Sequence, residues 1–196
     1  MQIELEAKFL DADHDKIRQR LKDLDAKLEQ PMRLMRRNNF DYPDLRLDKH
    51  NGWIRVRDEG DKVTMSYKQL SDRSIHGTKE INLVIDSFKA AYDFLTEIGL
   101  QAKTYQESKR ESWRLEGVQI ELDEWPWVKP FVELEGRSEN ELKAVAEKLG
   151  FNWSDALHGS VEIVYQSEYK VSESEVDAWR EIKFGPVPGW LQKHRK

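Results

Sequence analysis

The sequence predicts an α+β fold: an eight-stranded antiparallel β-barrel forming a tunnel, with helices inserted between the strands and packed outside. Three observations lead there. Segments that alternate apolar and polar residues recur along the chain, as half-buried strands do. Short turn signals link neighbouring strands as hairpins, while segments with apolar residues at helical spacing interrupt them. No repeat, low-complexity stretch or flexible linker divides the chain, and closing such a sheet removes its exposed edges.

Residues 2–9 read as the first strand, with Ile3, Leu5, Ala7 and Phe9 on one face and Glu4, Glu6 and Lys8 on the other. Residues 15–29 follow as a helix carrying Ile17, Leu21, Leu24 and Leu28 at helical spacing. Residues 32–42 are extended but less regular. In 53–58, Trp53, Arg55 and Arg57 alternate with Ile54 and Val56; in 61–69, Val63, Met65 and Tyr67 alternate with Thr64, Ser66 and Lys68. Glu59-Gly60-Asp61 between them is a hairpin turn. After a strand at 78–86, Asp86 or Ser87 caps a helix bearing Phe88, Tyr92, Leu95 and Ile98, which stops at Gly99. Strands at 103–115 and 118–123 flank the turn Glu116-Gly117, and 131–136 sets Val132 and Leu134 opposite Glu133 and Glu135. Ser138 with Glu141 is a capping box ahead of Leu142, Val145, Ala146 and Leu149, and Gly150 ends that helix. Ser172 with Glu175 repeats the signature before Val176 and Trp179. The tail at 184–190 is expected to be irregular and held by its aromatics. The expected division is a tunnel domain at 1–167 and a C-terminal helix and tail at 168–196, packed on the same domain.

Composition removes several function classes. The chain of 196 residues has no cysteine, so it holds no disulfide framework, thiolate zinc site or Cys nucleophile. It shows no apolar run of membrane-spanning length and no signal-peptide pattern, so the expected compartment is the cytoplasm. A net charge of −5 argues against a general nucleic-acid binder, and 38% hydrophobic residues suffice for a core. The remaining question is where 32 basic and 37 acidic residues sit.

They are sorted by strand. Charges recur at i, i+2, which puts them on one face about 6.6 Å apart. Glu4 with Glu6, Glu121 with Asp123, and Glu133 with Glu135 form acidic pairs; Arg55 with Arg57 forms a basic pair, and Lys68 and Arg110 add single cations. Like charges side by side on a face repel, and a solvated face more often mixes signs. Turned inward in a closed sheet, these rows would line a polar tunnel. Carboxylates suit hard cations such as Mg²⁺ or Mn²⁺, and Arg and Lys suit phosphate oxygens. That combination is what a polyphosphate requires. No Gly-rich phosphate loop occurs, so side chains would hold the anion.

Glu4-Leu5-Glu6-Ala7-Lys8, followed in order by Arg55-Val56-Arg57, Tyr67-Lys68, Lys79-Glu80, Arg110, the segment 120–123 and Phe131-Val132-Glu133-Leu134-Glu135, resembles the CYTH superfamily. This superfamily, also called triphosphate tunnel metalloenzymes, groups class IV adenylyl cyclases with thiamine, inorganic and RNA triphosphatases. The resemblance covers about residues 2–166 and implies an eight-stranded antiparallel tunnel. By motif it implies that Glu4, Glu6 and Lys8 are catalytic and that Glu4, Glu6, Asp123, Glu133 and Glu135 are metal ligands. It also implies that Lys8, Arg55, Arg57, Lys68 and Arg110 bind triphosphate. Where members often carry Glu-x-Glu on the fifth strand, this chain reads Glu80-Ile81-Asn82, so Glu80 is a secondary candidate. Glu121 is a candidate from its spacing alone.

Three functions share such a site. The first is metal-dependent hydrolysis of an inorganic, thiamine or nucleoside triphosphate, using Mg²⁺ or Mn²⁺. The second is adenylyl cyclisation, which makes cyclic AMP and pyrophosphate from ATP. The third is a non-catalytic nucleotide or polyphosphate-binding module, against which the three acidic pairs argue. The expected partner is a small triphosphate; no membrane is involved, and the oligomeric state stays open, a homodimer included. Among other residues, the five His read as surface positions, and Trp113, Trp125 and Trp127 as core or rim packing. Arg33, Arg36 and Arg37 read as a partly solvated strand with one Arg facing the tunnel.

Overall fold

Strand β1 spans Gln2–Phe9, and its register places Glu6 and Lys8 on the face opposite Leu5, Ala7 and Phe9. A computed structural model describes residues 2–70 and 78–196, with side chains described from 5 to 70 and from 79 onward. The Glu4 side chain and His76, both considered above, lie outside the described residues. Helix α1, His14–Asp23, is capped by Asp13, whose carboxylate accepts from the backbone N–H of Asp15 and Lys16.

The expected helix at 15–29 is shorter than its apolar spacing implies. It stops at the C-cap Leu24, Asp25 turns the chain at a φ of 53°, and β2 already begins at Lys27, spanning Lys27–Asp41. The cause is long-range. Lys27 and Leu28 pair with Arg114 and Trp113, so sheet hydrogen bonds win over helical periodicity. Leu28, expected on the helical stripe, is 45% exposed.

The hairpin strands follow as read: β3 Gly52–Asp58, β4 Val63–Leu70 and β5 Thr78–Ile85. Helix α2, Phe88–Glu97, is capped by the Ser87 hydroxyl. Strands β6 Gln101–Leu115, β7 Val118–Glu124 and β8 Phe131–Gly136 complete the sheet. In α3, Glu139–Leu149, the Ser138 hydroxyl caps Glu141 N–H and Gly150 closes the helix at a φ of 89°. The expected capping box is half formed, because the Glu141 carboxylate reaches Arg137 N–H instead of Ser138. Helix α4, Glu162–Glu168, has no side-chain cap and was not expected. Helix α5, Glu173–Asp177, carries the full capping box of Ser172 and Glu175. A two-residue strand β9, Glu181–Ile182, and a one-turn helix α6, Gly189–Gln192, give the tail more structure than expected.

The strand order is β2-β3-β4-β5-β1-β8-β7-β6, and a further ladder joins β6 to β2. Each of these eight strands is therefore paired on both sides, antiparallel throughout. β9 runs parallel to β6 at Tyr105 and Gln106, beyond the point where β7 ends.

Alternation sorts the two surfaces of the sheet. Outside, Ile120, Leu122, Val132 and Leu134 are fully buried against α1 and α3 through Leu21, Leu142, Val145 and Ala146. Each such side chain contributes roughly 1.5–3 kcal/mol of burial. A second core joins Trp125 and Phe131 to Val164, Tyr165, Tyr169, Val176, Ile182 and Leu191. It fastens the C-terminal elements to the end of the sheet, and the hydroxyls of Tyr165 and Tyr169 donate to the carbonyls of Pro126 and Trp127. Among the described residues, no helix is long and apolar enough to cross a membrane.

Candidate functional site

The opposite, inward parity lines a cavity of about 550 Å³. Every predicted site residue whose side chain is described reaches it: Glu6, Lys8, Arg55, Arg57, Lys68, Glu80 and Arg110, with Glu121, Asp123, Glu133 and Glu135. Glu4 belongs to β1 by backbone, paired with Thr78, two residues before Glu6.

The β1–β8–β7 side interleaves acids and cations. Register sets Lys8 opposite Glu133, Glu6 opposite Glu135, and Glu121 opposite Glu133. Lys8 Nζ lies 2.9 Å from Glu6 and 3.0 Å from Glu133. On β6, Arg110 forms a fork with Asp123, at 2.7 Å and 2.5 Å, and reaches Glu133 at 3.2 Å. Burial alone would lower the Lys8 ammonium; Glu133 and Glu6 outweigh it and hold Lys8 above its ordinary value. Burial would raise the Glu133 carboxyl, but Lys8 and Arg110 hold it well below the usual range. Glu121 is clamped more loosely: Arg110 lies 3.9 Å away and Gln119 donates to one oxygen, but burial outweighs them and raises its carboxyl, and its other oxygen is buried with no hydrogen-bond partner among the described residues.

The β3–β4–β5 side repeats the scheme with fewer charges. Glu80 lies 3.1 Å from Lys68 and 3.6 Å from Arg55. Burial would raise its carboxyl; Lys68 and Arg55 pull it down to about 2. Arg57 is anchored by Glu59 at 2.7 Å, and Glu59 also accepts from Thr64 at 2.8 Å. Glu59 was read only as a turn residue, yet it is 4% exposed and shares inward parity with Arg55 and Arg57.

The β2–β6 side was least legible. Arg33, Met35, Arg37 and Asn39 face the cavity, whereas Arg36 faces outward and lies 3.9 Å from Asp58. Two inward arginines replace the single one expected. Parity was the available signal, since 33 and 37 are an even number apart. At the end bounded by the C-terminal elements, Lys103 pairs with Asp48 at 3.3 Å, and Glu162 and Asp177 enter the lining. Burial, then the neighbouring Glu162, pushes the Asp177 carboxyl up to about 7.

Two histidines depart from surface placement. His14 is buried at the start of α1 with Nε2 3.0 Å from the Phe131 carbonyl, and His158 Nδ1 lies 2.8 Å from the Glu6 carbonyl. Both are tied to strands that carry the site. Trp113 packs in the outer core as expected, while Trp125, equally buried, also borders the cavity.

Among the described residues, no three His, Asp or Glu side chains converge into a preformed metal cage. The reason is visible in the ion pairs: Lys8 and Arg110 lie between the carboxylates. The donor chemistry still suits a hard divalent cation. Glu6 stands directly opposite Glu135, an arrangement of like charges that a cation relieves.

Solved structures with the same fold include a Vibrio parahaemolyticus protein described as a candidate adenylate cyclase. It is 16% identical over 84% of this chain and 98% of its own, with a TM-score of 0.73. A Pyrococcus horikoshii protein aligns at 19% identity over 83% of this chain and 99% of its own, TM-score 0.68. A Hippeastrum protein, described as a candidate adenylyl cyclase with a dominant triphosphatase activity, aligns at 16% identity over 89% and 95%, TM-score 0.59. No curated protein matches the chain. A profile of the CYTH domain matches residues 2–161, which hold all eight strands of the antiparallel sheet and helix α3, and the chain therefore belongs to the CYTH family.

Proposed function

We propose that the protein is a divalent-metal-dependent triphosphatase that hydrolyses a linear triphosphate inside its charged cavity. The observation that carries the reading is the meeting of two rows in one cavity: Lys8, Arg55, Arg57, Lys68 and Arg110, and the carboxylates Glu6, Glu133 and Glu135. A triphosphate needs several cations on its oxygens, and a carboxylate pair gains from a metal that shares those oxygens.

Glu6 and Glu135, with Glu4 beside them on β1, would hold Mg²⁺ or Mn²⁺. When bound, the metal supplies Lewis-acid stabilisation of charge on the phosphoryl oxygens. Arg55, Arg57 and Lys68 hold the chain of phosphoryl groups, and Lys8 and Arg110 transfer part of their pairing from Glu133 to substrate oxygens. Carboxylates of the β1–β8 side orient the attacking water. The water oxygen bonds to the terminal phosphorus as one of its protons passes to such a carboxylate, the P–O bond to the next phosphoryl group breaks, and the leaving oxygen carries away its electron pair.

The reading is tested with tripolyphosphate, thiamine triphosphate and ATP, each with Mg²⁺ or Mn²⁺, scoring phosphate, pyrophosphate and cyclic AMP separately. Phosphate release is expected. Cyclic AMP with equal pyrophosphate would replace hydrolysis by cyclisation in the same clamp. Binding of tripolyphosphate without product would leave a binding module.

A further inference from the structure

Arg37 has a different electrostatic setting from the other inward cations. It is 8% exposed, and its Nε is buried with no hydrogen-bond partner among the described residues. One guanidinium nitrogen, Nη2, donates to the Ser108 hydroxyl at 2.8 Å, and the guanidinium lies 4.5 Å over the Trp125 ring. No carboxylate among the described residues is within ion-pairing distance of it, whereas Lys8, Arg55, Arg57, Lys68 and Arg110 each have one. Arg33 also has no carboxylate within ion-pairing distance among the described residues, but it donates to the carbonyls of Glu59 and Arg110 and to the Ser112 hydroxyl.

The neighbours of Arg37 make this setting costly. Register places it directly opposite Arg57, with both side chains in the cavity. Like charges at that spacing repel, and a buried cation without an anion carries an uncompensated desolvation penalty. Burial, then Arg57, Arg55 and Arg110, push its guanidinium well below its ordinary value against a weaker opposing pull from Asp123, which Arg110 already engages. A ring stack and a neutral hydroxyl orient the group without neutralising it. An anion between Arg37 and Arg57 would supply Arg37 with the countercharge it lacks and relieve its repulsion with Arg57, which Glu59 already pairs, and the planar fork with a free Nε suits phosphoryl oxygens.

We propose that Arg37 is a substrate-binding residue that, with Arg57 across the β2–β3 ladder, holds one phosphoryl group of a polyphosphate, with Ser108 and Trp125 fixing its orientation. This rests on the triphosphate reading above and adds to it a contact from β2, a strand on which one inward Arg was expected but no triphosphate-binding residue was assigned.

The test compares wild type with R37M, R37Q and R37K. Calorimetry reads tripolyphosphate affinity in EDTA, and thermal unfolding reads stability with and without the anion. R37M is expected to weaken tripolyphosphate binding about 10- to 100-fold. Its Tm without anion is expected to equal or exceed that of wild type, because an uncompensated charge is removed, while R37K retains part of the affinity. A purely structural Arg37 gives the opposite pattern, a lower Tm and unchanged affinity, and overturns the proposal. Loss of the folding transition in both R37M and R37Q overturns it too. Wild type that binds tripolyphosphate through Arg37 but releases no phosphate keeps this inference and removes the hydrolytic reading. Wild type that does not bind tripolyphosphate overturns both.

Discussion

On the β1–β8–β7 side of the cavity, Lys8 and Arg110 each lie between carboxylates, Arg110 within hydrogen-bonding distance of both Asp123 and Glu133. On the β2–β3 side, Arg37 faces Arg57 and has no carboxylate of its own among the described residues. The first side is neutralised from within by its ion pairs, which, on the proposed function, would be partly exchanged when an anion and a metal enter. On the second, Glu59 pairs with Arg57, and Arg37 is left to be neutralised by what binds. One cavity thus combines an internal clamp, which costs stability to disturb, with an external one, which costs affinity to disturb.

The sharpest way to break this contrast is Glu133→Gln. It removes the charge shared by the buried Lys8 and the half-buried Arg110, and is expected to cost about 3–5 kcal/mol in urea unfolding. A loss under about 1 kcal/mol would mean that the pairs contribute little to the fold. Next, Glu4→Gln with Glu6→Gln is expected to lower turnover by on the order of 10²–10³ while leaving tripolyphosphate binding in EDTA intact. Retained turnover would remove these residues from the metal site. Arg57→Met sharpens the comparison within the β2–β3 side. It strands the buried Glu59 carboxylate, so an unfolding penalty of about 1–3 kcal/mol is expected where Arg37→Met has none.

Acid and base reveal the same division. Glu80 is held at about 2 against an ordinary 4.5, so its contribution is complete above pH 4.5 and lost as pH falls through 2. Glu80→Gln is expected to flatten the stability profile in that window. Asp177, pushed up to about 7 from 3.8, has the opposite sign: the folded state binds the proton more tightly, so stability declines as pH rises from 3.8 to 7. Asp177→Asn is therefore expected to raise Tm at pH 8 and leave it unchanged at pH 3. Equal Tm differences at both pH values would contradict the shift. The smallest effect is expected at Lys89→Ala, which breaks a solvent-exposed i,i+4 pair with Asp93 and should change stability by less than about 0.5 kcal/mol.

The legibility of these features in the sequence follows the range of the forces behind them. Glu133 and Glu135 declared their inward face by alternating with Val132 and Leu134, which pack in the outer core. Ser87, Ser138 and Ser172 announced helix starts because capping is a local contact. Helix α4 lacks a side-chain cap, and its packing partners Trp125 and Phe131 lie over 30 residues away, so no local signal marked it. Leu28 was misread because its spacing is helical while its hydrogen bonds go to β6. Arg37 posed the same difficulty in the site. Its parity was readable, but the absence of a carboxylate depends on what β3, β6 and the Trp125 segment bring to it.

The central claim, that one charged cavity binds triphosphate through its cations and uses its carboxylates to recruit a metal for hydrolysis, is tested most directly by phosphate release from tripolyphosphate, with Mg²⁺ and in EDTA, alongside binding under both conditions. The claim predicts turnover only with the metal and measurable binding in both. Equal turnover in EDTA, or no binding in either, would contradict it.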